Sequence, residues 1–179
     1  MVDPISARQF WYRCLFVALV FVLVFIRLLP IDTVPGGFPG PDLILALTMA
    51  WVLRRPAFVP APLIVAVFLT CDLLFQEPPG LWAMLVLLGT EFLRAKQALS
   101  RQMPFLVEWA IVVGVLAAMV AANQIILSVL LVNTPPLGMA VARAIFTALV
   151  YPIVVGASYL VFDIRKASPE EAAALGARL

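Results

Sequence analysis

The chain has 179 residues, of which 64% are hydrophobic and only 12% charged, with a net charge of +2 and no histidine. Its mean hydropathy is +1.09. A water-soluble domain carries about a quarter charged residues, so this composition excludes one and points to an all-α integral membrane protein. In lipid, backbone polar groups must be paired within the segment, and helices do that.

A span needs about 20 apolar residues, and the charges here fall in the gaps between apolar runs. Six runs result. The first covers Trp11 to Leu29. Arg8 and Arg13 flank its start, but no small-residue cleavage site follows it, so it reads as a retained anchor. The second, Asp42 to Leu53, rises only about 18 Å; it must recruit part of Gly36–Pro41 or be a broken helix. Pro62 to Phe75 forms the third and Leu81 to Leu93 the fourth. Phe105 to Val132 and Leu137 to Phe162 are long enough to tilt. Prolines sit between runs or at helix starts, where the missing N–H costs little.

Basic residues set orientation. Arg8 and Arg13, Arg54 and Arg55, Arg94, Lys96 and Arg101, then Arg165, Lys166 and Arg178 occupy alternate gaps. The gaps Asp32–Gly40, Gln76–Gly80 and Asn133–Pro136 contain no Lys or Arg. Six spans place every basic segment on one side and both termini in the cytoplasm. Residues 1–166 then form one transmembrane domain and 167–179 a short cytoplasmic tail. Ser168-Pro169-Glu170-Glu171 predicts a helix start there, over Pro169–Ala177. Trp11, Tyr12, Trp51 and Trp109 fall near the inner interface, as an aromatic belt would.

Catalytic signatures are missing from this sequence. Without histidine it lacks the commonest general base and metal ligand. It has no nucleotide-binding glycine loop and no nucleophile elbow. Cys14 and Cys71 fall at opposite depths, so neither a disulfide nor a metal site is expected. No catalytic, cofactor-binding or metal residues are assigned, and nucleic acid is not an expected partner.

Four charges lie inside or at the edge of spans, all toward one depth: Arg27, Asp42, Asp72 and Arg143. An unpaired charge there costs at least about 2.5 kcal/mol, so an intramembrane ion-pair cluster is expected. The first reading is structural; a small polar site or a socket for a partner's helix is the alternative. Around the gap between spans four and five, Glu91, Glu108, Arg94, Lys96 and Arg101 read as an interfacial hairpin with snorkelling bases, or as a docking surface. Gly114, Ala118 and Ala122 in span five, and Ala140, Ala144 and Ala148 in span six, repeat at four-residue spacing. Such stripes let helices approach closely; packing of spans five and six on each other is favoured over a contact between chains. Pro152 removes the hydrogen bond to the Ala148 carbonyl and predicts a kink.

Pro41-Asp42-Leu43 opens the second span, which closes with Trp51-Val52-Leu53-Arg54-Arg55-Pro56; Cys71-Asp72-Leu73-Leu74-Phe75 then leads to Pro78-Pro79-Gly80-Leu81-Trp82. This arrangement resembles the MreD family of bacterial rod-shape membrane proteins. The similarity is carried by about residues 25–100. It implies a non-enzymatic scaffold of the cell-wall elongation machinery in the bacterial inner (plasma) membrane. An MreC-like membrane protein, a RodA-type glycosyltransferase, a class B penicillin-binding protein and, indirectly, MreB are the implied partners, with membrane lipid and no cofactor. Gly37, Phe38 and Leu43 are the candidate partner contact. The six-helix layout is also similar to the substrate-binding subunits of energy-coupling-factor vitamin transporters, which supplies the alternative: a small-molecule binding subunit.

Overall fold

The computed structural model describes residues 4–29, 40–97, 104–131, 136–162 and 164. Those residues form six α-helices and no strand: α1 (Pro4–Leu28), α2 (Leu43–Arg54), α3 (Ala61–Leu74), α4 (Leu81–Ala95), α5 (Phe105–Val129) and α6 (Leu137–Phe162). A single 3-10 turn, Pro56–Phe58, joins α2 to α3. Helices α1, α5 and α6 are long and apolar enough to cross a membrane. The other three contain 12, 14 and 15 residues and rise only about 18–23 Å, short of the roughly 30 Å of a hydrocarbon core. Prolines bound them: Pro41 precedes α2, Pro56 follows it, Pro60 caps α3, and Pro78-Pro79 precede α4.

Burial inverts the order of length. Eleven of the 12 residues of α2 are buried. Its sequence, LILALTMAWVLR, is apolar around the whole circumference, and such a helix belongs in the interior. The long helices instead turn large apolar side chains outward, among them Phe21 and Phe25 on α1, Ile125 and Val129 on α5, and Ile153 and Leu160 on α6. Water would penalise so broad an apolar surface, whereas lipid tails match it.

Helix directions alternate. At one end Tyr12 Oη donates to the Phe162 carbonyl at 3.2 Å, Arg13 donates to the Ala57 carbonyl, and Arg94 donates to the carbonyls of Pro56 and Val59. The starts of α1 and α3 and the ends of α2, α4 and α6 therefore meet there. Arg13 and Arg94 thus hold the carbonyls of the segment Pro56–Val59 from two sides. The first helix is peripheral, packing mainly on that turn, α2 and α3. Its Tyr12 ring stacks on Phe58 at 4.3 Å, and Phe16 meets the Trp51 indole at 5.5 Å. Trp51 itself is fully buried, with its Nε1 donating to Ser158 Oγ at 3.2 Å. It is a core residue and no part of an interfacial belt; a helix buried on every side leaves its tryptophan no interface.

Helices α5 and α6 pack together, but the predicted stripe does not line up between them. Gly114 and Ala118 are exposed, and α5 buries Val112, Val115, Leu116 and Met119 instead. Trp109 Nε1 donates to the Ala148 carbonyl at 2.8 Å. That is the carbonyl which Pro152, inside α6, deprives of its helical donor. Around this contact Ala144 and Ala148 face Ala117 and Ala121 across an apolar groove of about 400 Å³. The tail after residue 164 and its predicted helix start lie outside the described residues.

Where α4 crosses α5, Gly89 faces two side chains of α5: a Cβ there would lie 2.9 Å from Met119 Sδ and 3.1 Å from Val115 Cγ1. A thioether end can swing away, whereas a branched valine side chain pushes against both neighbours. Gly89→Ala should shift the thermal unfolding midpoint in detergent little. Gly89→Val should destabilise by about 1–3 kcal/mol, the usual cost of overpacking. Equal midpoints for both variants would contradict this crossing.

Candidate functional site

Two polar layers cross the apolar interior, one at each end of α2. At its start, Asp42 is the N-cap: Oδ1 accepts from the Leu45 N–H at 3.0 Å. A capping carboxylate also complements the positive end of the helix dipole. Its Oδ2 accepts from Arg143 Nη2 on α6 at 2.8 Å, and the Asp42 N–H donates to Thr147 Oγ1 at 2.8 Å. That hydroxyl donates in turn to the Arg143 carbonyl, one turn back on the same helix. Arg143 Nη1 lies 3.6 Å from Glu77 Oε1. That distance is too long for a hydrogen bond, so the charges attract without being joined.

Asp72, at the end of α3, is 1% exposed. Its Oδ2 accepts from the N–H groups of Gly80 at 2.9 Å and Ala83 at 3.2 Å. Gly80 starts α4 with φ +84° and has no side chain to cap it. The carboxylate of the preceding helix supplies the cap instead. The four residues of the expected cluster do line one small pocket, together with Glu77, but they do not all pair with one another. Asp42 and Arg143 pair directly; Asp72 holds backbone amides and no arginine. Arg27 is exposed and places its guanidinium carbon 3.9 Å from the centroid of the Phe75 ring, a cation–π contact. Of the predicted partner contact, Leu43 is an exposed residue in the first turn of α2. Gly37 and Phe38 lie outside the described residues.

The second layer lies at the other end of α2. Arg54 Nη1 meets Glu108 Oε1 of α5 at 2.8 Å. Tyr151 Oη of α6 donates to the same carboxylate oxygen at 2.9 Å. All three residues are buried. In the sequence Arg54 reads as a topology signal and Glu108 as an interfacial residue, and nothing there singles out Tyr151. The depth argument that linked Asp42 with Arg143 applies here too, since Arg54 ends one span and Glu108 lies in the first turn of another.

A cavity of about 630 Å³ opens beside the Asp42 layer, between α2, α4, α5, α6 and the turn after α3. Arg143, Glu77, Thr147 and Asn123 line its polar side, and Leu45, Leu116, Val120 and Leu127 its apolar side. Among the described residues no three His, Cys, Asp or Glu side chains are grouped to hold a metal ion. Cys14 is exposed and Cys71 buried, and both are free thiols. Comparison with protein-family models, with curated proteins and with solved structures finds no match to this chain.

The two layers predict separate mutational patterns. Arg54→Met leaves the Glu108 carboxylate without its guanidinium in an apolar interior and should cost about 3–5 kcal/mol. Adding Glu108→Gln should recover part of the loss, and Tyr151→Phe alone should cost only about 1 kcal/mol. Thermal unfolding in detergent measures all three; a full loss in the double variant would contradict the pairing.

At the Asp42 end, Arg143→Gln should lower the yield of folded protein and Asp42→Asn should restore some of it. Asp72 should behave otherwise. An asparagine oxygen can still accept from Gly80 and Ala83, so Asp72→Asn should fold and Asp72→Ala should lose stability. No change at Arg27 or Arg143 should rescue Asp72→Ala; if one does, the capping role is wrong.

Proposed function

We propose that the chain is a non-enzymatic membrane scaffold of the bacterial cell-wall elongation machinery, working as the MreD proteins that its PDL and DLL segments resemble. One observation carries this reading. Four residues of the resemblance serve the architecture: Asp42 caps α2 and ties it to α6, Asp72 caps α4, Gly80 makes the left-handed turn between α3 and α4, and Trp51 fills the centre. A motif devoted to fixing helix positions suits a protein whose product is a shaped surface. Broad apolar faces on α1, α5 and α6 suit contacts within the bilayer.

In this reading the helices form six spans with both termini in the cytoplasm. Arg13, Arg54 and Arg94 converge near the turn at Pro56–Phe58, and that end carries the basic segments. The partners are an MreC-like membrane protein, a RodA-type glycosyltransferase and a class B penicillin-binding protein, with MreB reached indirectly. The cavity of about 630 Å³ favours one other reading, a small-molecule binding subunit of the energy-coupling-factor type.

A reporter fused after Lys166 should read cytoplasmic and one at Val34 external; the same side for both would refute six spans. Photo-crosslinkers at Phe38 and Leu43 should trap a wall-synthesis partner in native membranes, and depletion of the protein should round the cells. Recovery of a pair of transport ATPases, with a vitamin bound tightly by the purified protein, would establish the second reading instead.

A further inference from the structure

The cavity beside Asp42 is amphipathic in a specific way. Its volume, about 630 Å³, lies within the range of sites that enclose small ligands. Asp42 is fully engaged by the Leu45 amide and Arg143 Nη2. Thr147 is likewise committed, to the Asp42 amide and the Arg143 carbonyl. Two charged groups remain addressable: Glu77 Oε1 and Arg143 Nη1, held 3.6 Å apart, with side chains 34% and 29% exposed. An opposite pair set side by side, and not closed into a hydrogen bond, can accept a ligand that carries both charges. Asn123 adds an amide from α5, and Leu45, Leu116 and Val120 continue the wall as hydrocarbon.

We propose that this cavity binds a zwitterionic aminophospholipid, with the phosphate on Arg143, the primary ammonium on Glu77 and an acyl chain along the apolar wall. A phospholipid with an anionic headgroup fits poorly. In the lining of this cavity it would meet two carboxylates, Asp42 and Glu77, against one guanidinium, that of Arg143, which Asp42 already engages; Arg27 lines the smaller adjoining pocket instead. A soluble zwitterion would leave the hydrocarbon wall uncovered. This binding goes beyond the scaffold role and does not depend on it.

The test is lipid retention. The full-length protein, purified in detergent, is exposed to mixed micelles holding equal parts of dioleoyl phosphatidylethanolamine and dioleoyl phosphatidylglycerol. Bound lipid is then counted by native mass spectrometry. The wild type should retain phosphatidylethanolamine preferentially. Glu77→Gln leaves the Asp42–Arg143 pair intact and should erase the preference, a loss of about tenfold as expected for one charge-assisted contact. Val120→Phe, which narrows the apolar wall, should reduce retention of both lipids while the thermal transition persists. Equal retention of the two lipids by the wild type, an unchanged preference in Glu77→Gln, or a water-soluble molecule held in place of lipid would each overturn the proposal.

Discussion

Helix α2 carries a carboxylate at its amino end and a guanidinium at its carboxyl end, and each finds its opposite on a longer helix. Asp42 takes Arg143 of α6, and Arg54 takes Glu108 of α5. Both charges also agree with the dipole of the helix they terminate. Between them lie apolar residues and one threonine, whose hydroxyl returns to the Ile44 carbonyl. The interior can hold this element because its only strongly polar groups are at its tips and are already neutralised there. Helices α4, α5 and α6 surround a rod pinned at both ends, and register along α6 follows, with Arg143 and Thr147 serving one tip of α2 and Tyr151 lying beside the other.

Lipid offers no hydrophobic force between helices, so specific polar contacts and close packing must locate them. The structure uses backbone carbonyls for this purpose repeatedly. Trp109 takes the carbonyl that Pro152 leaves open; Arg13 and Arg94 take the carbonyls of the turn between α2 and α3; Asp72 supplies the cap that Gly80 lacks. At each of these three places a departure from the regular helix is met by a side chain from another helix. Breaks in secondary structure thus become tertiary contacts.

The helical class and nearly every helix boundary were legible in the sequence, because prolines and charges mark the ends of apolar runs. Asp42 and Arg143 were legible as two of four charges at one depth, but depth alone did not say which acid meets which base. The role of Asp72 was not legible for a physical reason: a buried carboxylate oxygen can be held by backbone amides, as Oδ2 is here, and these leave no trace in a residue pattern. The small-residue stripes were legible in part: the two helices that carry them do pack together, with Ala144 and Ala148 opposite Ala117 and Ala121, but not along the whole of both stripes. Periodicity shows that a face is smooth, but the neighbour it meets depends on helix rotation, and here Gly114 and Ala118 turn outward. The Arg54–Glu108–Tyr151 layer escaped notice because basic residues at span ends have a ready explanation in topology, and that explanation masked their pairing.

The placement of α1 bears on how the molecule assembles. Its main contacts are with the segment from Trp51 to Phe58 and, through Tyr12, with Phe162. The bond from Tyr12 to Phe162 closes a loop of 150 residues. Contacts so distant along the chain carry a large closure entropy and form late. Helix α1, which precedes the other five in the chain, thus becomes fully docked only when the end of α6 is in place. A chain stopped before the end of α6 would leave α1 without that latch, however well the intervening helices had packed.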